Sequence, residues 1–324
     1  MIISRTPLRV SFVGGGSDLP TFYSQHGGAV LSMAICKYVY LSMHDNFHRK
    51  GSILKYSEIE KPANTNEIRH RIIRQIFSDL GIDGVDFNSS ADVPSGTGMG
   101  SSSAFTVGLL NLCLAYRGTY VSKTRLAEMA CEVELDKLGE TIGKQDQYGC
   151  ALGGINLLEF HQDGSVTAQV VPLTWQQRRR LEDNLVMVYI GGSRSASQLL
   201  AGQAERLRRS PEMIENMKAM VAQAHELRGA LCHDVDVLGP VLDEAWQRKQ
   251  RLSPDICTPQ IANAYSRAKA AGATGGKLLG AGAAGFLLLY TPGEARGAVV
   301  EELADFTAHD VQVDPSGSVI IYSD

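Results

Sequence analysis

The chain has 324 residues, a formal net charge of -4 and an isoelectric point near 6.1. This length allows two packed lobes, and a hydrophobic fraction of 44% with 20% charged residues argues against a disordered or fibrous chain. The charge gives no reason to expect a nucleic-acid partner, because the arginines within Gln176 to Arg180 are typical of a solvated helix face or turn.

Cysteine usage and the N-terminus predict a cytoplasmic protein. The six cysteines form no Cys-x-x-Cys pair, which favours buried free thiols over disulfides or zinc ligands. Met1 to Arg5 lacks the features of a signal peptide, and no apolar run reaches membrane-spanning length. His44 and His48 have i, i+4 spacing but lie beside a strand-like segment, so no metal cluster is predicted from the histidines. We therefore expect neither a membrane nor a nucleic-acid partner.

Strands, glycine turns and helices alternate in the first half of the chain. In chain order, the apolar patterns predict strands Leu8 to Val13 and Ala29 to Met43, a helix Asn66 to Leu80, a strand Val85 to Val93, helices Ala104 to Tyr116 and Ser122 to Leu138, and a strand Ile155 to Phe160. The helix from Ala104 is apolar nearly all round, which predicts burial on most of its faces.

The chain changes character near Asp183, where long polar helices begin to dominate. The elements predicted after this point are a strand Leu185 to Ile190, helices Ala196 to Arg209, Pro211 to Leu231, Leu238 to Arg251 and Pro259 to Ala271, and strands Phe286 to Tyr290 and Ser318 to Tyr322. Both halves mix helices and strands, so the sequence predicts an α+β protein of two lobes, residues 1–183 and 184–324.

The loop from Pro94 to Ala104 is the strongest functional signal in the sequence. It places three glycines and the run Ser101 to Ser103 between a strand and a buried helix. Glycines let the backbone approach a ligand closely, and the free N–H groups of a helix start attract phosphate oxygens, while serine hydroxyls there can ligate magnesium. The residues predicted to hold phosphates are Pro94, Gly96, Gly98, Met99, Gly100, Ser101, Ser102 and Ser103.

Three common nucleotide-binding motifs do not fit. Neither Gly-Lys pair is followed by Ser or Thr, as a Walker A loop requires, and the His-Arg-Asp and Asp-Phe-Gly elements of protein kinases are missing. Gly280 to Gly285 matches the G-x-G-x-x-G pattern, but a strand-like segment follows where a dinucleotide site needs a helix, and the stretch before it is predicted to be helical. The remaining interpretations of that glycine run are tight packing or a cleft wall.

Three segments in this order resemble the superfamily of galactokinase, homoserine kinase, mevalonate kinase and phosphomevalonate kinase, the GHMP kinases. They are Pro7 to Asp18, the Pro94 to Ala104 loop, and Lys277 to Gly282. Together with Gly143 to Tyr148, the first segment resembles most the D-glycero-D-manno-heptose 7-phosphate kinases. Gly15 and Gly16 stand where galactokinases carry Glu and His. The resemblance implies an N-terminal lobe like ribosomal protein S5 domain 2, a ferredoxin-like C-terminal lobe, and a cleft between them that binds ATP and Mg²⁺.

The resemblance also implies catalytic and metal-binding roles. Asp146 matches the catalytic aspartate, which would accept or orient the substrate hydroxyl proton, with Arg9 and Lys144 close by; as a bare feature, Asp146 could be a helix cap. Arg9 would stabilise charge on the transferred phosphoryl group. Glu134 lies twelve positions before Asp146, the spacing of the family's magnesium ligand, and Ser102 would complete the pair. Without the resemblance, Glu132 or Glu140 would serve as well as Glu134.

Asp18 matches the family position that binds sugar hydroxyls, and Gly15, Gly16 and Ser17 precede it in the same motif. Gly280 and Gly282 would close the second lobe over substrate and phosphates. If the substrate already carries a phosphate, Arg194 at a predicted helix N-terminus is the first candidate to bind it and Lys144 the second.

The resulting hypothesis is a kinase for a sugar or sugar phosphate, with the anomeric hydroxyl of heptose 7-phosphate as acceptor. Two alternatives stay open: a kinase for a free sugar such as fucose, mannose or galactose, and a catalytically silent sensor of ATP and sugar. The helices between Ala196 and Arg251 could cover a homodimer interface or only the second lobe.

Overall fold

The structure, a computed structural model, describes residues 1–47, 50–192, 202, 204–207 and 210–324. In this part the chain forms two β-sheets, one of eight and one of four strands. Seven strands of the larger sheet precede residue 171, and they are β1 (Ile2–Val13), β2 (Gly28–Asp45), β3 (Ile53–Lys55), β4 (Ile59–Glu60), β5 (Val85–Ala91), β6 (Ile155–Phe160) and β7 (Val166–Val170). The 18-residue β2 is the central strand of this sheet, because it pairs antiparallel with β1, β5 and β6.

The smaller sheet lies in the second half of the chain and is antiparallel throughout. Its strands are β8 (Leu185–Gly191), β9 (Gly275–Leu278), β10 (Gly285–Tyr290) and β11 (Thr307–Asp310), in the spatial order β11-β8-β10-β9. The last strand, β12 (Val319–Ser323), returns to the larger sheet and pairs with β1. The first strand of the second sheet therefore begins at Leu185, two residues after the predicted boundary at residue 183. The C-terminal strand β12, however, belongs to the first sheet.

Ten helices whose residues are all described pack on these sheets. They are α1 (Pro20–His26), α2 (Arg71–Leu80), α3 (Ser101–Tyr116), α4 (Lys123–Cys131), α5 (Gln145–Leu152), α6 (Trp175–Asn184), α7 (Pro211–Leu231), α8 (Leu238–Gln250), α9 (Pro259–Ala270) and α10 (Ala295–Glu302). The predicted helix Ala196 to Arg209 lies largely outside the described residues. The prediction of a two-lobe α+β fold is confirmed.

Helix α3 is buried on most of its faces, as its all-round apolar composition predicts. It packs against β1, β2, α4 and α5. The helix begins at Ser101 rather than at Ala104, so the three serines form its first turn. After α4 the chain continues in a π-helical turn, Glu132–Lys137, of a kind that is frequent at functional sites.

Two predicted elements differ from the structure. The helix expected from Asn66 begins only at Arg71, because Ile68 is extended. It ends at Leu80 as predicted, where Gly81 adopts the left-handed conformation. The stretch before Gly280 is strand β9 and not a helix. Gly275 and Gly276 start this strand, and an ideal Cβ at Gly275 would lie 1.8 Å from the carbonyl oxygen of Gly239 in α8.

Candidate active site

A cleft of about 490 Å³ is lined by the glycine-rich loop before α3 and by the loop between β9 and β10. The residues of the first loop that line it are Gly96, Gly98, Gly100, Ser101, Ser102 and Ser103. Gly100 lies directly before α3 with a φ of 74°, a conformation that glycine adopts without strain. The free backbone N–H groups of the helix start follow it. The Ser101 hydroxyl is buried and has no hydrogen-bond partner within the described residues.

Two residues of this loop, which the sequence predicts in the cleft, do not face it in the structure. Met99 is fully buried in the hydrophobic core, and it contributes only its carbonyl oxygen, which accepts the Arg9 N–H at 3.1 Å. Pro94 is exposed, and its carbonyl accepts the Thr97 hydroxyl at 3.0 Å. Both residues therefore shape the loop, and neither lines the cavity.

Arg9 and Asp146 form an ion pair at the centre of the cleft. Arg9, on β1, is 4% exposed; its Nη2 lies 2.6 Å and its Nε 2.8 Å from Asp146 Oδ1. Its Nη1 donates to the carbonyl of Gly98 at 2.9 Å. Asp146 lies in the first turn of α5 and is 27% exposed. This arrangement joins three segments that are far apart in the sequence, and it orients Asp146 by a charge-assisted contact.

Lys144 does not join this pair, although the sequence predicts it there. Its Nζ donates to the carbonyl of Gly164 at 2.6 Å and lies 5.2 Å from the centre of the Tyr23 ring. Lys144 lines a neighbouring surface depression instead of the cleft. Because the amine is held by a carbonyl outside the cleft, we leave Lys144 out of the proposed catalytic set.

Glu134 lies on the π-helical turn, 2% exposed, and lines the same cleft. Its carboxylate accepts hydrogen bonds from the Ser103 and Thr106 hydroxyls, each at 2.8 Å, and from Gln147 Nε2 at 2.5 Å. Burial raises the pKa of Glu134, and these three hydrogen bonds act in the opposite direction. The serine in contact with Glu134 is Ser103, whereas the sequence pairs it with Ser102, which is exposed.

Asp18 is buried between the first glycine motif and the start of α5. Oδ1 accepts from the Gly16 N–H at 2.9 Å and from Gln145 Nε2 at 3.0 Å, and Oδ2 accepts from the Gln145 N–H at 3.1 Å. Burial, and then the charge of Asp146, raise the pKa of Asp18. A carboxylate offers about four acceptor sites, so roughly one is left for a ligand in the cleft.

Gly15 and Gly16 line the cleft beside Asp18, as predicted, but Ser17 does not. The Ser17 hydroxyl is fully buried, where it accepts from the Ala29 N–H and donates to the Ala29 carbonyl, both at 3.1 Å. Ser17 therefore fastens the first motif to β2 and is not available to a substrate.

The opposite wall comes from the second lobe. Gly280 and Gly282 line it, and the Gly280 backbone touches the first loop so closely that an ideal Cβ on Gly280 would lie 2.3 Å from the Gly98 Cα. Two buried lysines, Lys249 and Lys277, line the same wall. The sequence predicts a role for neither of them. Lys277 falls inside the motif Lys277 to Gly282, but Lys249 lies in a helix with no distinguishing pattern.

Arg194, the predicted phosphate ligand, lies outside the described residues. Within the described residues, no group of three or more His, Cys, Asp or Glu side chains could hold a metal ion, and no helix is long and apolar enough to cross a membrane.

Comparisons with known proteins agree with this geometry. Residues 67–154 match the family described as "GHMP kinases N terminal domain" and residues 194–306 match "GHMP kinases C terminal". Among curated proteins, the chain is 27% identical over 302 residues to D-glycero-alpha-D-manno-heptose 7-phosphate kinase of Campylobacter jejuni, covering 89% of each chain. It is 28% identical to the bifunctional fucokinase/GDP-fucose pyrophosphorylase of Arabidopsis thaliana, over 95% of this chain but 31% of that one.

A solved structure also shares the fold. The D-glycero-D-manno-heptose 1-phosphate kinase of Bacteroides thetaiotaomicron aligns over 100% of both chains with a TM-score of 0.81 and 23% identity. The chain belongs to the GHMP kinases, a family of ATP-dependent phosphotransferases. It is therefore an ATP-dependent kinase of small molecules, and the cleft between its lobes is the candidate active site.

Proposed function

We propose that the protein is a sugar-phosphate kinase that transfers the γ-phosphoryl group of ATP to the anomeric hydroxyl of D-glycero-D-manno-heptose 7-phosphate. The products are the 1,7-bisphosphate and ADP. The Arg9–Asp146 pair, held against the phosphate-binding loop, is the observation that carries the kinase chemistry. The heptose comes from the relative that matches 89% of this chain at 27% identity.

Asp146 and Arg9 have different roles in the phosphoryl transfer. Asp146 Oδ1 is engaged by Arg9, whereas Oδ2 has no hydrogen bond within the described residues, so Oδ2 is the atom that accepts the sugar hydroxyl proton. The sugar oxygen forms a bond to the γ-phosphorus as the bond from that phosphorus to the β,γ-bridging oxygen breaks, and ADP leaves. Arg9 stabilises the negative charge on the phosphoryl group during the transfer. The proton on Asp146 then passes to solvent.

The oxygen donors around the first turn of α3 fit Mg²⁺. Ser102 is exposed to the cleft, the buried Ser101 hydroxyl lacks a partner within the described residues, and the Glu134 carboxylate lines the same cavity. Magnesium prefers such oxygen donors and takes its remaining ligands from phosphates and water. When bound, the ion neutralises phosphate charge, and Ser102 and Glu134 are the residues we expect to hold it. Ser103 and Thr106 orient Glu134 for this role.

On the sugar side, Asp18 and Gln145 act as one unit. Gln145 Nε2 donates to Asp18, which leaves the buried Gln145 Oε1 without a partner within the described residues. This oxygen lies 3.9 Å from the position of an ideal Cβ on Gly15, so it is an acceptor for a sugar hydroxyl beside the glycine motif. Arg194 as a ligand of the substrate phosphate, and a homodimer, stay predictions.

The test is ADP release with MgATP and heptose 7-phosphate, free heptose, fucose, mannose or galactose. We expect turnover with heptose 7-phosphate. Asp146→Asn should lower kcat by about 10²–10⁴-fold, because it removes the proton acceptor and leaves the nucleotide loop in place. Asp163→Asn, in an exposed turn outside the cleft, is the matched control. Wild-type turnover that survives in Asp146→Asn would contradict the role of Asp146.

A free-sugar kinase is the second candidate, because a fucokinase matches 95% of this chain and galactokinases also match 95%. A value of kcat/KM for fucose or galactose above that for heptose 7-phosphate would favour it. The absence of sugar-dependent ADP release with every acceptor, despite ATP binding, would favour the sensor hypothesis.

A further inference from the structure

Two buried lysines of the second lobe line the cleft without a role in the mechanism above. Lys249 lies on α8 and Lys277 on β9, and they are 8% and 3% exposed. Both line the cavity that contains Arg9 and Asp146. Lysine is almost never buried without a partner for its charge, so both need an explanation.

The hydrogen bonds of these ammonium groups are incomplete. Lys249 Nζ donates to the carbonyls of Leu278 at 2.8 Å and Gly280 at 2.5 Å, and Lys277 Nζ donates to the carbonyl of Phe12 at 3.0 Å. An ammonium has three N–H donors, so one donor of Lys249 and two of Lys277 have no acceptor within the described residues. No carboxylate forms an ion pair with either lysine in this part of the chain. The nearby Asp146 carboxylate is engaged by Arg9.

Positive charge is concentrated at this point. Burial lowers the pKa of Lys277 to about 7, and repulsion from Arg9 adds to that effect. Burial, followed by repulsion from Lys277 and Arg9, holds the pKa of Lys249 well below its usual value. Buried like charges are unfavourable unless an anion compensates them. Arg71 also lines the cleft, but it is exposed and paired with Glu140, so it does not belong to this cluster.

We propose that Lys249 and Lys277, together with Arg9, bind a phosphate group in the cleft, an inference that rests on the proposed kinase function. Lys249 donates to Gly280, and Gly280 packs on Gly98 of the phosphate-binding loop, so the lysines lie where the two glycine-rich loops meet. The phosphate has two possible sources: the transferable phosphoryl group of ATP, or a phosphate already carried by the substrate.

The first experiment does not depend on catalysis. Inorganic tripolyphosphate is titrated into the full chain by calorimetry, and into Lys249→Met and Lys277→Met variants. We expect saturable binding that weakens at least tenfold in each variant, because each loses a charge-assisted contact. Lys269→Met is the matched control, since Lys269 also donates to a backbone carbonyl of the second lobe, that of Thr274 at 2.8 Å, but does not line the cleft.

The second experiment identifies the source of the phosphate. If it is the transferable phosphoryl, the variants lose the preference for a non-hydrolysable ATP analogue over ADP by at least tenfold. If it is the phosphate of the substrate, they lose the preference for heptose 7-phosphate over free heptose, and the nucleotide preference is unchanged. Adenosine affinity should stay within twofold in both cases, whereas a collapse of the cleft would weaken it as well.

Three results decide the inference. Tripolyphosphate binding and both preferences within twofold of wild type in the two folded variants would overturn it, as would failure of the wild type to bind tripolyphosphate. If one Met variant does not fold, tripolyphosphate binding is compared with wild type in the other Met variant and in the charge-retaining variants Lys249→Arg and Lys277→Arg. Tripolyphosphate binding that depends on the lysines, in a protein without turnover on any sugar, would support the phosphate site and reject only the proposed function.

Discussion

Gly143 has no room for a side chain, because Asp18 is packed against it. An ideal Cβ on Gly143 would lie 1.8 Å from Asp18 Oδ2, the oxygen that accepts the Gln145 N–H. The residue that precedes Lys144 therefore fixes the distance between the first glycine motif and the helix that carries Asp146. At this scale, the side of the cleft proposed to bind the sugar is determined by close packing and not only by the polar residues that line it.

This packing gives a prediction for Gly143→Ala. The added methyl group must displace Asp18, so we expect kcat/KM for the sugar to fall at least about tenfold and the free energy of unfolding to fall by about 1–3 kcal/mol. Gly297→Ala is the control, since an ideal Cβ on Gly297, in α10, meets nothing within 4 Å. Steady-state kinetics and urea unfolding measure the two effects. Unchanged sugar kinetics in Gly143→Ala would show that Asp18 is not held as described.

Lys277 predicts how stability depends on pH. Its pKa in the folded protein is about 7, below the usual 10.5, so between these values the unfolded chain binds more protons. The free energy of unfolding should therefore rise with pH in that window. The titratable or charged groups beside it are Arg9 and Lys249, with Asp18 and Asp146 in the same cleft.

The measurement compares wild type with Lys277→Met by urea unfolding at pH 7.5, 8.5 and 9.5, so that the groups whose titration does not depend on Lys277 cancel. The stability difference in favour of wild type should grow with pH by up to about 1.4 kcal/mol per unit. A difference that is constant with pH would mean that Lys277 keeps an ordinary pKa in the folded state.

At the scale of elements, two helical glycines are expected to respond oppositely to alanine. Gly229, in α7, is exposed and an ideal Cβ there meets nothing within 4 Å, whereas one on Gly239, in α8, would lie 2.0 Å from Thr274 Oγ1. Gly229→Ala should raise the free energy of unfolding by about 0.5–1 kcal/mol, because alanine favours the helix. Gly239→Ala should lower it by about 1–3 kcal/mol, because α8 must move away from β9. Chemical unfolding of both variants checks the signs, and equal signs would contradict the packing of α8 on β9.

Elements with a strong periodic signal could be predicted from the sequence. Strand β6 and helix α7 have the predicted bounds, because a compact apolar run and a serine-proline start mark them. Strand β9 could not be predicted, since its Gly-Gly-Lys-Leu sequence has no strand pattern and β10 is the only strand that pairs with it in the described part of the chain. Its conformation follows from tertiary contact, with Gly275 packed on α8.

The candidate site was predictable in so far as glycines and serines mark it locally. The motifs indicate the cleft, Arg9 and Asp146. The direction of a side chain depends on the folded surroundings, so the sequence wrongly predicts that Lys144 and Ser17 line the cleft. Lys249 could not be found from the sequence, because its helix resembles any other amphipathic helix. What distinguishes Lys249 is its burial against the β9–β10 loop, which only the folded structure shows.

At the scale of the whole molecule, the two lobes share hydrophobic contacts. One continuous cluster contains Leu8 and Leu31 of the first sheet, Leu227 of α7, and Met187 and Leu288 of the second sheet. Helix α7 packs on β2, and β12 returns from the second half to pair with β1. The second lobe also has a cluster that is almost entirely its own, with Val188, Trp246 and Leu287, but the larger cluster joins the two lobes.

We therefore expect the lobes to unfold together. Differential scanning calorimetry should show one transition, with a calorimetric enthalpy close to the van't Hoff enthalpy. A non-hydrolysable ATP analogue binds the cleft between the lobes and should raise the temperature of that single transition, by an amount that increases with its concentration. If the lobes were independent, two transitions would appear and the nucleotide would shift mainly that of the lobe that contains the glycine-rich loop before α3. A substitution that weakens the shared cluster, Leu227→Ala, separates the cases further: in a shared core it lowers the single transition temperature, whereas in separate cores it would move only the second-lobe transition.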